Sequence, residues 1–243
     1  MRPHFSADQS LQALTVTRHG SSLIQISLKG LVNCYLIQEE DGLTLIDTTV
    51  SGSAPAITEI TASLRSELRR VLLTHAHHDH AGSLDALMTG RPALEIMLSA
   101  REARLLAGDH RLEPDEPQHE PGGEFTRSSA RATRFLRGGD RVGSLLVIAS
   151  SGHTPGHLSF LDTRDGSLIA GDAYANVSEA IVSGVFTPQF PVSAKVTWHK
   201  PTALESAKRL RDLQPRRLAC GHGSVLENPL PAMIGAIERA EVT

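Results

Sequence analysis

The sequence predicts a mixed α/β fold, and three features of its hydrophobic pattern lead to this prediction. Residues 14–48 contain four short apolar segments separated by turns that contain glycine, as expected for an antiparallel meander. Residues 142–171 return to the same strand-rich pattern. Stretches with apolar residues at helical spacing follow both regions, over residues 53–69 and 202–213. The pattern alone supports two strand-rich halves with helices and no finer architecture.

The individual elements follow from the positions of apolar and turn residues. In the first half, strands are predicted at Leu14–Thr17, Ser22–Ser27, Val32–Gln38, Leu43–Asp47, residues 71–74 and Leu94–Leu98. Helices are predicted over residues 53–69, from Ser99 as the N-cap to Leu106, over residues 202–213, and over residues 229–240 from Pro229 onward.

Two long segments lack strand or helix periodicity. The first, residues 108–137, is rich in proline, glycine and arginine. A loop this long is usually functional or disordered, so we interpret it either as a cap over an active site or as a solvated surface excursion. The second, residues 173–199, holds four of the chain's nine aromatic residues. Of these, Phe186, Phe190 and Trp198 are candidates for an apolar substrate wall, or alternatively fill the gap between sheet and loop.

At 243 residues the chain fits one large α/β domain or two small ones. No linker divides it, so we expect one domain over residues 1–243, with 108–137 and 173–199 as cap or substrate loops. The net charge of −3 gives no basic field for nucleic acid or an anionic membrane surface. Cys34 and Cys220 are too few for a disulfide framework. Because residues 1–6 lack an apolar signal region and no run reaches transmembrane length, a cytoplasmic location is expected.

The strongest functional signal is the segment Thr74–Gly82, which contains four potential metal ligands. It follows an apolar strand and precedes a helix. Side chains alternate along an extended loop, so His75 and His77 point to the same side. Asp79 and His80 lie where the chain turns into the helix and could serve a second ion. Imidazole and carboxylate groups are ligands that Zn²⁺, Mn²⁺ and Fe²⁺ accept.

Three later segments each place one ligand-type residue just beyond a predicted strand. These residues are His153 after strand 145–149, Asp172 after strand 167–170, and His222 after strand 217–220. Glycines beside them allow close backbone approach. Asp47 likewise ends the strand Leu43–Asp47. His157, which follows the Thr-Pro-Gly turn, is interpreted as a structural hydrogen-bonding residue.

These five motifs, in this order, resemble the metallo-β-lactamase superfamily, in its hydrolase branch with the H-x-H-x-D-H signature. The resemblance runs from about Leu14 to Leu226. It implies a four-layer αββα sandwich in which two mixed sheets are flanked by helices. It also implies two divalent metal ions, with Zn²⁺ favoured and Mn²⁺ or Fe²⁺ as alternatives.

The resemblance also assigns the ligands. Those implied for the two ions are His75, His77 and His153 for one, Asp79, His80 and His222 for the other, and Asp172 as the bridge between them. Asp47 would orient the histidine loop without binding metal itself. Such supporting partners typically change metal affinity or activity by about 10–100-fold when they are lost.

The implied activity is hydrolysis of a small-molecule substrate. A hydroxide bridging the two ions would attack the carbonyl of an ester, lactone or thioester, and Asp79 would position it or pass a proton to the leaving group. We favour a lactonase or carboxylesterase. Tyr174 lies two residues after Asp172, whereas quorum-quenching lactonases place a similar tyrosine three residues after. Tyr174 is therefore a second candidate for catalysis, with core packing as the alternative.

Three alternatives stay open at this point. One is a glyoxalase II-like thioesterase, although residues 223–243 are too few for that family's helical glutathione-binding domain. Another is a persulfide dioxygenase, which would hold a single iron with two histidines and one aspartate, whereas this chain keeps the ligands of both sites. The third is a non-catalytic binding module. A homodimer is also left open.

Overall fold

Two mixed β-sheets pack face to face and carry helices on their outer sides in the computed structural model, which describes residues 14–242. The expectation that the chain lacks a signal region rests on residues 1–6, which lie outside the described range. None of the helices within it is long and apolar enough to cross a membrane.

The first sheet has seven strands that lie in the order in which they occur in the chain. Its first four strands form the predicted antiparallel meander, and the later neighbours are parallel. Parallel neighbours need a crossover connection, which the intervening helical segments supply. The strands are β1 (Leu14–His19), β2 (Leu23–Leu28), β3 (Val32–Glu39), β4 (Gly42–Ile46), β5 (Leu68–Leu72), β6 (Glu95–Ser99) and β7 (Arg134–Leu136).

The second sheet has six strands and is also mixed. These strands are β8 (Arg141–Val142), β9 (Leu145–Ala149), β10 (Leu158–Asp162), β11 (Ser167–Gly171), β14 (Arg217–Cys220) and β15 (Leu226–Glu227). Their order is β15-β14-β11-β10-β9-β8, with β11 and β14 parallel and the other neighbours antiparallel. A separate hairpin consists of β12 (Tyr174–Asn176) and β13 (Ala180–Val182).

Seven helices are found within residues 14–242. They are α1 (Ala54–Ser63), α2 (His78–Ala81), α3 (Leu84–Met88), α4 (Ala100–Leu106), α5 (Val192–Val196), α6 (Lys200–Asp212) and α7 (Leu230–Glu241). The predicted N-cap of α4 is confirmed, because the Ser99 hydroxyl accepts a hydrogen bond from the backbone N–H of Glu102 at 3.0 Å.

Three buried hydrophobic clusters fill the spaces between the four layers. Between the two sheets, Tyr35 and Leu72 of the first sheet meet Phe160 and Ile169 of the second. A second cluster lies between the first sheet and helices α1, α3 and α4. A third lies between the second sheet, the β12–β13 hairpin, and helices α6 and α7. The predicted αββα arrangement of two mixed sheets flanked by helices is therefore confirmed.

Two predicted elements needed correction. The helix expected over residues 53–69 ends at Ser63, because Arg65 adopts a positive φ of 52° and β5 begins at Leu68. Both segments expected to be irregular contain regular structure: residues 134–136 of the first form β7, and the segment 173–199 contains β12, β13 and α5. Its apolar residues pair and pack locally, and no period of two or 3.6 is long enough to be recognised there.

Candidate metal centre

Five strands deliver ligand-type side chains to one edge of the sandwich. Asp47 follows β4, His75 and His77 follow β5, His153 follows β9, Asp172 follows β11, and His222 follows β14, while Asp79 and His80 lie in α2. All of them are buried except Asp79, whose side chain is 37% exposed. Gly221 permits this convergence, since an added Cβ would overlap Oδ1 of Asp172 and Cε1 of His80.

Hydrogen bonds on the outer side of each imidazole fix which nitrogen carries the proton. The Thr74 hydroxyl donates to Asp47 Oδ2 at 2.7 Å, so His75 Nδ1 must donate to the Thr74 oxygen at 2.9 Å. His77 Nε2 lies 2.9 Å from the Gly122 carbonyl, which can only accept. The remaining nitrogens, Nε2 of His75 and Nδ1 of His77, therefore carry lone pairs.

His153 is held in the same way by a chain of hydroxyl groups. The Thr197 hydroxyl donates to the Ser193 carbonyl at 2.8 Å, and the Ser183 hydroxyl then donates to Thr197 at 2.8 Å. The Ser183 oxygen is left to accept from His153 Nδ1, which lies 2.8 Å away. His153 Nε2 is thereby left as a lone-pair donor.

His80 and His222 complete the set. His80 Nδ1 donates to Asp47 Oδ2 at 2.8 Å, and His222 Nδ1 donates to the Leu31 carbonyl at 3.1 Å. Asp47 also accepts from the backbone N–H of Thr74 at 2.8 Å, so this one carboxylate orients both ends of the histidine loop. In all five histidines the outer nitrogen donates, so the inner nitrogen is the one that can bind a metal ion.

The first three inner nitrogens converge on one point. His75 Nε2 lies 3.1 Å from His77 Nδ1, which lies 3.0 Å from His153 Nε2. Burial lowers the pKa of each of these histidines, and by a large amount for His75 and His153, so protons do not bridge the lone pairs. Lone pairs this close repel one another unless a cation lies between them. A tetrahedral ion with Zn–N distances of 2.0–2.1 Å would separate its ligands by about 3.3 Å, so the cluster fits.

Asp172 lies between this cluster and a second one. Its Oδ2 is 3.4 Å from His153 Nε2 and 3.1 Å from His222 Nε2, and its Oδ1 is 3.3 Å from His80 Nε2. Asp79 Oδ2 is 3.3 Å from His222 Nε2. Considering only residues 14–242, His80 Nε2 and Asp172 Oδ1 are buried and have no hydrogen-bond partner. A buried imidazole nitrogen and a carboxylate oxygen this close also fit a bound cation, which would replace any proton between them.

The charges of this second cluster are strongly coupled. Burial by itself would lower the pKa of His80, but the carboxylates of Asp172, Asp79 and Asp47 raise that pKa well above its usual value. Burial would raise the pKa of Asp172, but His222 and His80 hold it well below its usual value. The carboxylate is therefore ionised and able to bind cations.

The ligand atoms form three overlapping groups, each able to hold a metal ion. The groups are His75, His77 and His153; His75, His80 and Asp172; and Asp79, His80 and His222. Three protein ligands with room for water are typical of catalytic zinc, whereas structural zinc sites are closed by four. The donor set is suited to divalent metals but does not select among Zn²⁺, Mn²⁺ and Fe²⁺.

Comparison with known proteins agrees with this geometry. The family model described as the metallo-beta-lactamase superfamily matches residues 28–222. The chain belongs to the metallo-β-lactamase superfamily. The membership that the motifs indicate is thus confirmed, and the match covers every candidate ligand from Asp47 to His222.

Three proteins are similar to this chain over most of its length. The uncharacterized protein YobT of Bacillus subtilis (strain 168) is 46% identical over 211 residues, covering 86% of this chain and 91% of YobT. The probable metallo-hydrolase YflN of the same strain is 28% identical over 214 residues, with 79% and 81% coverage. A hydroxyacylglutathione hydrolase of Bartonella henselae is 27% identical over 212 residues, with 84% and 71% coverage.

A solved structure of similar fold carries metal. TTHA1623, described in a di-iron-bound form, superposes with a TM-score of 0.61 and 25% sequence identity, covering 83% of this chain and 92% of that one. A metal other than zinc is therefore compatible with the fold, and the preference for Zn²⁺ stays a prediction.

His157 makes structural hydrogen bonds, in agreement with its interpretation from the sequence. Its Nε2 accepts from the backbone N–H of Asp172 at 3.0 Å, and its Nδ1 lies 2.8 Å from the Ser150 hydroxyl. Burial lowers the pKa of His157 to about 3, so the ring stays neutral and keeps the lone pair that holds Asp172.

A pocket opens over the two clusters and is shared by both long loops. Asp79, Asp172, His77, His153 and His222 form its floor. Its walls are formed by His78, Gly123 and Glu124 on one side and Phe190, Val192, Ser193 and Val196 on the other. The Phe190 ring lies 4.7 Å from the ring of His222.

The two loops also contact the histidine segment and each other. The backbone N–H of His78 donates to the Glu124 carbonyl at 2.8 Å, and the Phe125 ring lies 4.6 Å from the ring of His77. The indole N–H of Trp198 donates to the carbonyl of His119 at 2.7 Å. Residues 119–125 are thus fixed beside the site by backbone contacts.

The structure places Tyr174 in the core, and it does not line the pocket. Its side chain is fully buried in the cluster beneath α6, where its hydroxyl donates to the Ala207 carbonyl at 2.8 Å. The structure places the three residues of the predicted substrate wall in different surroundings. Phe190 lines the pocket, but Phe186 is 60% exposed, and Trp198 is buried with its indole N–H occupied by His119. Val192 and Val196 complete the apolar wall instead.

The sequence reasoning also missed Glu102. This residue is fully buried in the first turn of α4, where its carboxylate accepts hydrogen bonds from two loops that carry histidines. A charged residue at a predicted helix start ordinarily indicates a surface position, so the sequence alone carried no signal for it.

Proposed function

We propose that this chain is a two-metal hydrolase that cleaves a carboxylic ester or lactone of a small, uncharged substrate. The observation that carries the proposal is the convergence of five imidazoles and two carboxylates within one pocket, each imidazole with its inner nitrogen facing the site. A non-catalytic binding site would not need this many metal ligands or an open pocket above them.

The proposed ligands divide the site into two halves. His75, His77 and His153 would hold one divalent ion, and Asp79, His80 and His222 the other. Asp172 lies close to both groups and would bridge them. Two such ions, when bound, lower the pKa of a coordinated water from 15.7 to about 7 and polarise the carbonyl oxygen of a substrate.

Asp79 is suited to proton transfer because it is the most accessible of the proposed ligands. Its side chain is 37% exposed and lines the pocket, and its two oxygens lie 3.3 Å from His222 Nε2 and 4.0 Å from His80 Nε2. One oxygen can therefore stay on the metal side while the other accepts a proton and delivers it to the leaving alkoxide.

The walls of the pocket favour an uncharged substrate. Phe190, Val192 and Val196 supply apolar contacts for an acyl chain or lactone ring. Among the described residues that line the pocket, none is lysine or arginine, and Glu124 adds a negative charge at the rim. Away from the metal ions, a carboxylate or phosphate on the substrate would find no ion-pair partner in these walls.

A glyoxalase II-like thioesterase is the second candidate, because hydroxyacylglutathione hydrolases are among the relatives. The tripeptide of a glutathione thioester carries two carboxylates, which this pocket does not match. A persulfide dioxygenase is less well supported, since a single iron would leave a second set of buried ligands without a role.

The experiment that tests the proposal combines metal analysis with a substrate panel. Purified protein should contain two metal ions per chain and should hydrolyse uncharged lactones or aryl esters faster than glutathione thioesters. His77→Ala should abolish turnover and lower the metal content, whereas His19→Ala, in β1, should leave both unchanged. Full activity of His77→Ala would refute the proposal. One iron with thiol-dependent O₂ consumption would favour the dioxygenase instead.

A further inference from the structure

A single buried carboxylate connects two of the loops that bear candidate ligands. Glu102 is fully buried, and its Oε2 accepts a hydrogen bond from the backbone N–H of Ala76 at 2.8 Å. Its Oε1 accepts from the hydroxyl of Thr154 at 2.6 Å and from the backbone N–H of Gly156 at 2.9 Å. Both oxygens therefore serve donors that come from outside their own helix.

These contacts lie next to three particular histidines. Ala76 is the residue between His75 and His77, and Thr154 directly follows His153. Glu102 thus joins the two loops that form the three-histidine cluster. None of its described hydrogen bonds goes to residues 79–82, 171–173 or 221–223, which carry the other candidate ligands.

The helix that carries Glu102 is itself held firmly. The Ser99 hydroxyl caps α4 by accepting from the Glu102 N–H at 3.0 Å. An added Cβ at Gly156 would overlap the Ser99 hydroxyl, so the loop after His153 lies directly against the start of α4. A buried carboxylate is costly to desolvate, and three donors on a rigid helix end offset part of that cost.

We propose that Glu102 is a positioning residue that fixes the spacing of His75, His77 and His153 and so sets the metal affinity of this cluster alone. The inference rests on the metal centre of the proposed function. Loss of an outer hydrogen-bonding partner typically lowers metal affinity by about 10–100-fold. Here the loss should be confined to one of two metal-binding steps.

The direct test is Glu102→Gln, followed by Co²⁺ titration of the metal-free protein with a competing chelator. Glutamine keeps the shape of glutamate, but its amide NH₂ group would face at least one of the three donors. We expect wild type to bind two Co²⁺ ions. The binding step that His153→Ala removes identifies the three-histidine cluster. In Glu102→Gln this step should weaken about 10–100-fold, and the other should change less than about twofold.

A matched control separates positioning from general destabilisation. Asp162 is also fully buried and accepts hydrogen bonds from Arg164 and Ser22, at the opposite end of β10 from His157. Asp162→Asn should lower the midpoint of urea unfolding without changing either Co²⁺ affinity. Thr154→Val removes one of the three donors and should weaken the same binding step about 2–10-fold. This variant carries the test if Glu102→Gln does not fold.

The outcomes are distinguishable. Equal weakening of both binding steps, or no change in either, would overturn the role of Glu102 while leaving the two-metal hydrolase intact. A wild-type protein that binds no Co²⁺ would refute the metal centre and this inference with it. The proposal is supported if Co²⁺ binding at the three-histidine cluster weakens while the other binding step stays unaltered.

Discussion

Replacing Asp47 by asparagine tests whether hydrogen bonds set the tautomers of the site. Asp47 accepts from the Thr74 N–H at 2.8 Å, from the Thr74 hydroxyl at 2.7 Å and from His80 Nδ1 at 2.8 Å. Asparagine has one acceptor oxygen, so in either orientation its NH₂ group faces at least one donor. Asparagine tolerates the left-handed φ of 62° at this position, so the backbone is preserved.

The size of the effect follows from the bonds that are lost. Hydrogen bonds to a charged group contribute about 1.5–3 kcal/mol each, so we expect Asp47→Asn to lower the free energy of unfolding by about 3 kcal/mol. In the orientation that places the NH₂ group at the Oδ2 position, beside His80 Nδ1, the amide also favours the tautomer with its proton on Nε2, which blocks the nitrogen that faces the site. Metal affinity should therefore fall about 10–100-fold.

The assay is a Zn²⁺ titration against a chelator, combined with urea unfolding and ¹H–¹⁵N NMR of the His80 ring. Asp162→Asn serves as the control, since it removes a buried carboxylate away from the histidines. Wild-type metal affinity in Asp47→Asn, with His80 still protonated on Nδ1, would show that the carboxylate does not determine the tautomer.

Three further predictions concern packing, substrate contact and pH. Gly82→Ala should lower the free energy of unfolding by about 3 kcal/mol in urea, because its Cβ would overlap two backbone segments, whereas Gly235→Ala in α7 should be neutral or slightly stabilising. Phe190→Ala should lower kcat/KM about 10-fold for apolar acyl esters while metal affinity stays within about twofold; equal losses for acetyl and longer esters would contradict a wall function. The raised pKa values of His80 and His222 mean that their protons stabilise the metal-free protein below about pH 6.5 and that this contribution is lost as the pH rises. Because metal must displace these protons, Zn²⁺ affinity should increase from about pH 6 to about pH 8 in competition titrations. A Zn²⁺ affinity that does not change over this pH range would argue against His80 and His222 as metal ligands.

The sequence predicts which candidate ligands come together far better than it predicts the positions of the residues around them. His75, His77 and Asp172 could be placed because glycines, strand ends and ligand types coincide within short motifs. The position of Tyr174 could not be predicted in this way. Side chains alternate between the two faces of a strand, and the number of residues between Asp172 and Tyr174 does not determine which face of the β12–β13 hairpin Tyr174 occupies. In the structure the Tyr174 ring packs against α6, and its hydroxyl donates a hydrogen bond to the Ala207 carbonyl.

The sequence predicts elements whose hydrophobic periodicity extends over many residues. It does not predict element boundaries that depend on the backbone conformation of a single residue. The meander and the later helices have enough repeats to be recognised. The end of α1 depends on one residue, Arg65, in a left-handed conformation that favours no particular side chain in the sequence. Glu102 was missed because its partners, Ala76 and Thr154, are remote in sequence and use a backbone N–H and a hydroxyl that many residues could supply.

The Gly122 carbonyl that accepts the hydrogen bond from His77 Nε2 belongs to the 108–137 loop and not to either sheet. If that loop moves to admit a substrate, His77 loses the acceptor that holds its Nδ1 lone pair toward the other histidines. Loop opening and metal release are then thermodynamically linked, and by reciprocity a bound metal ion favours the closed loop. Access to the pocket and loading of the site would then be governed by one equilibrium.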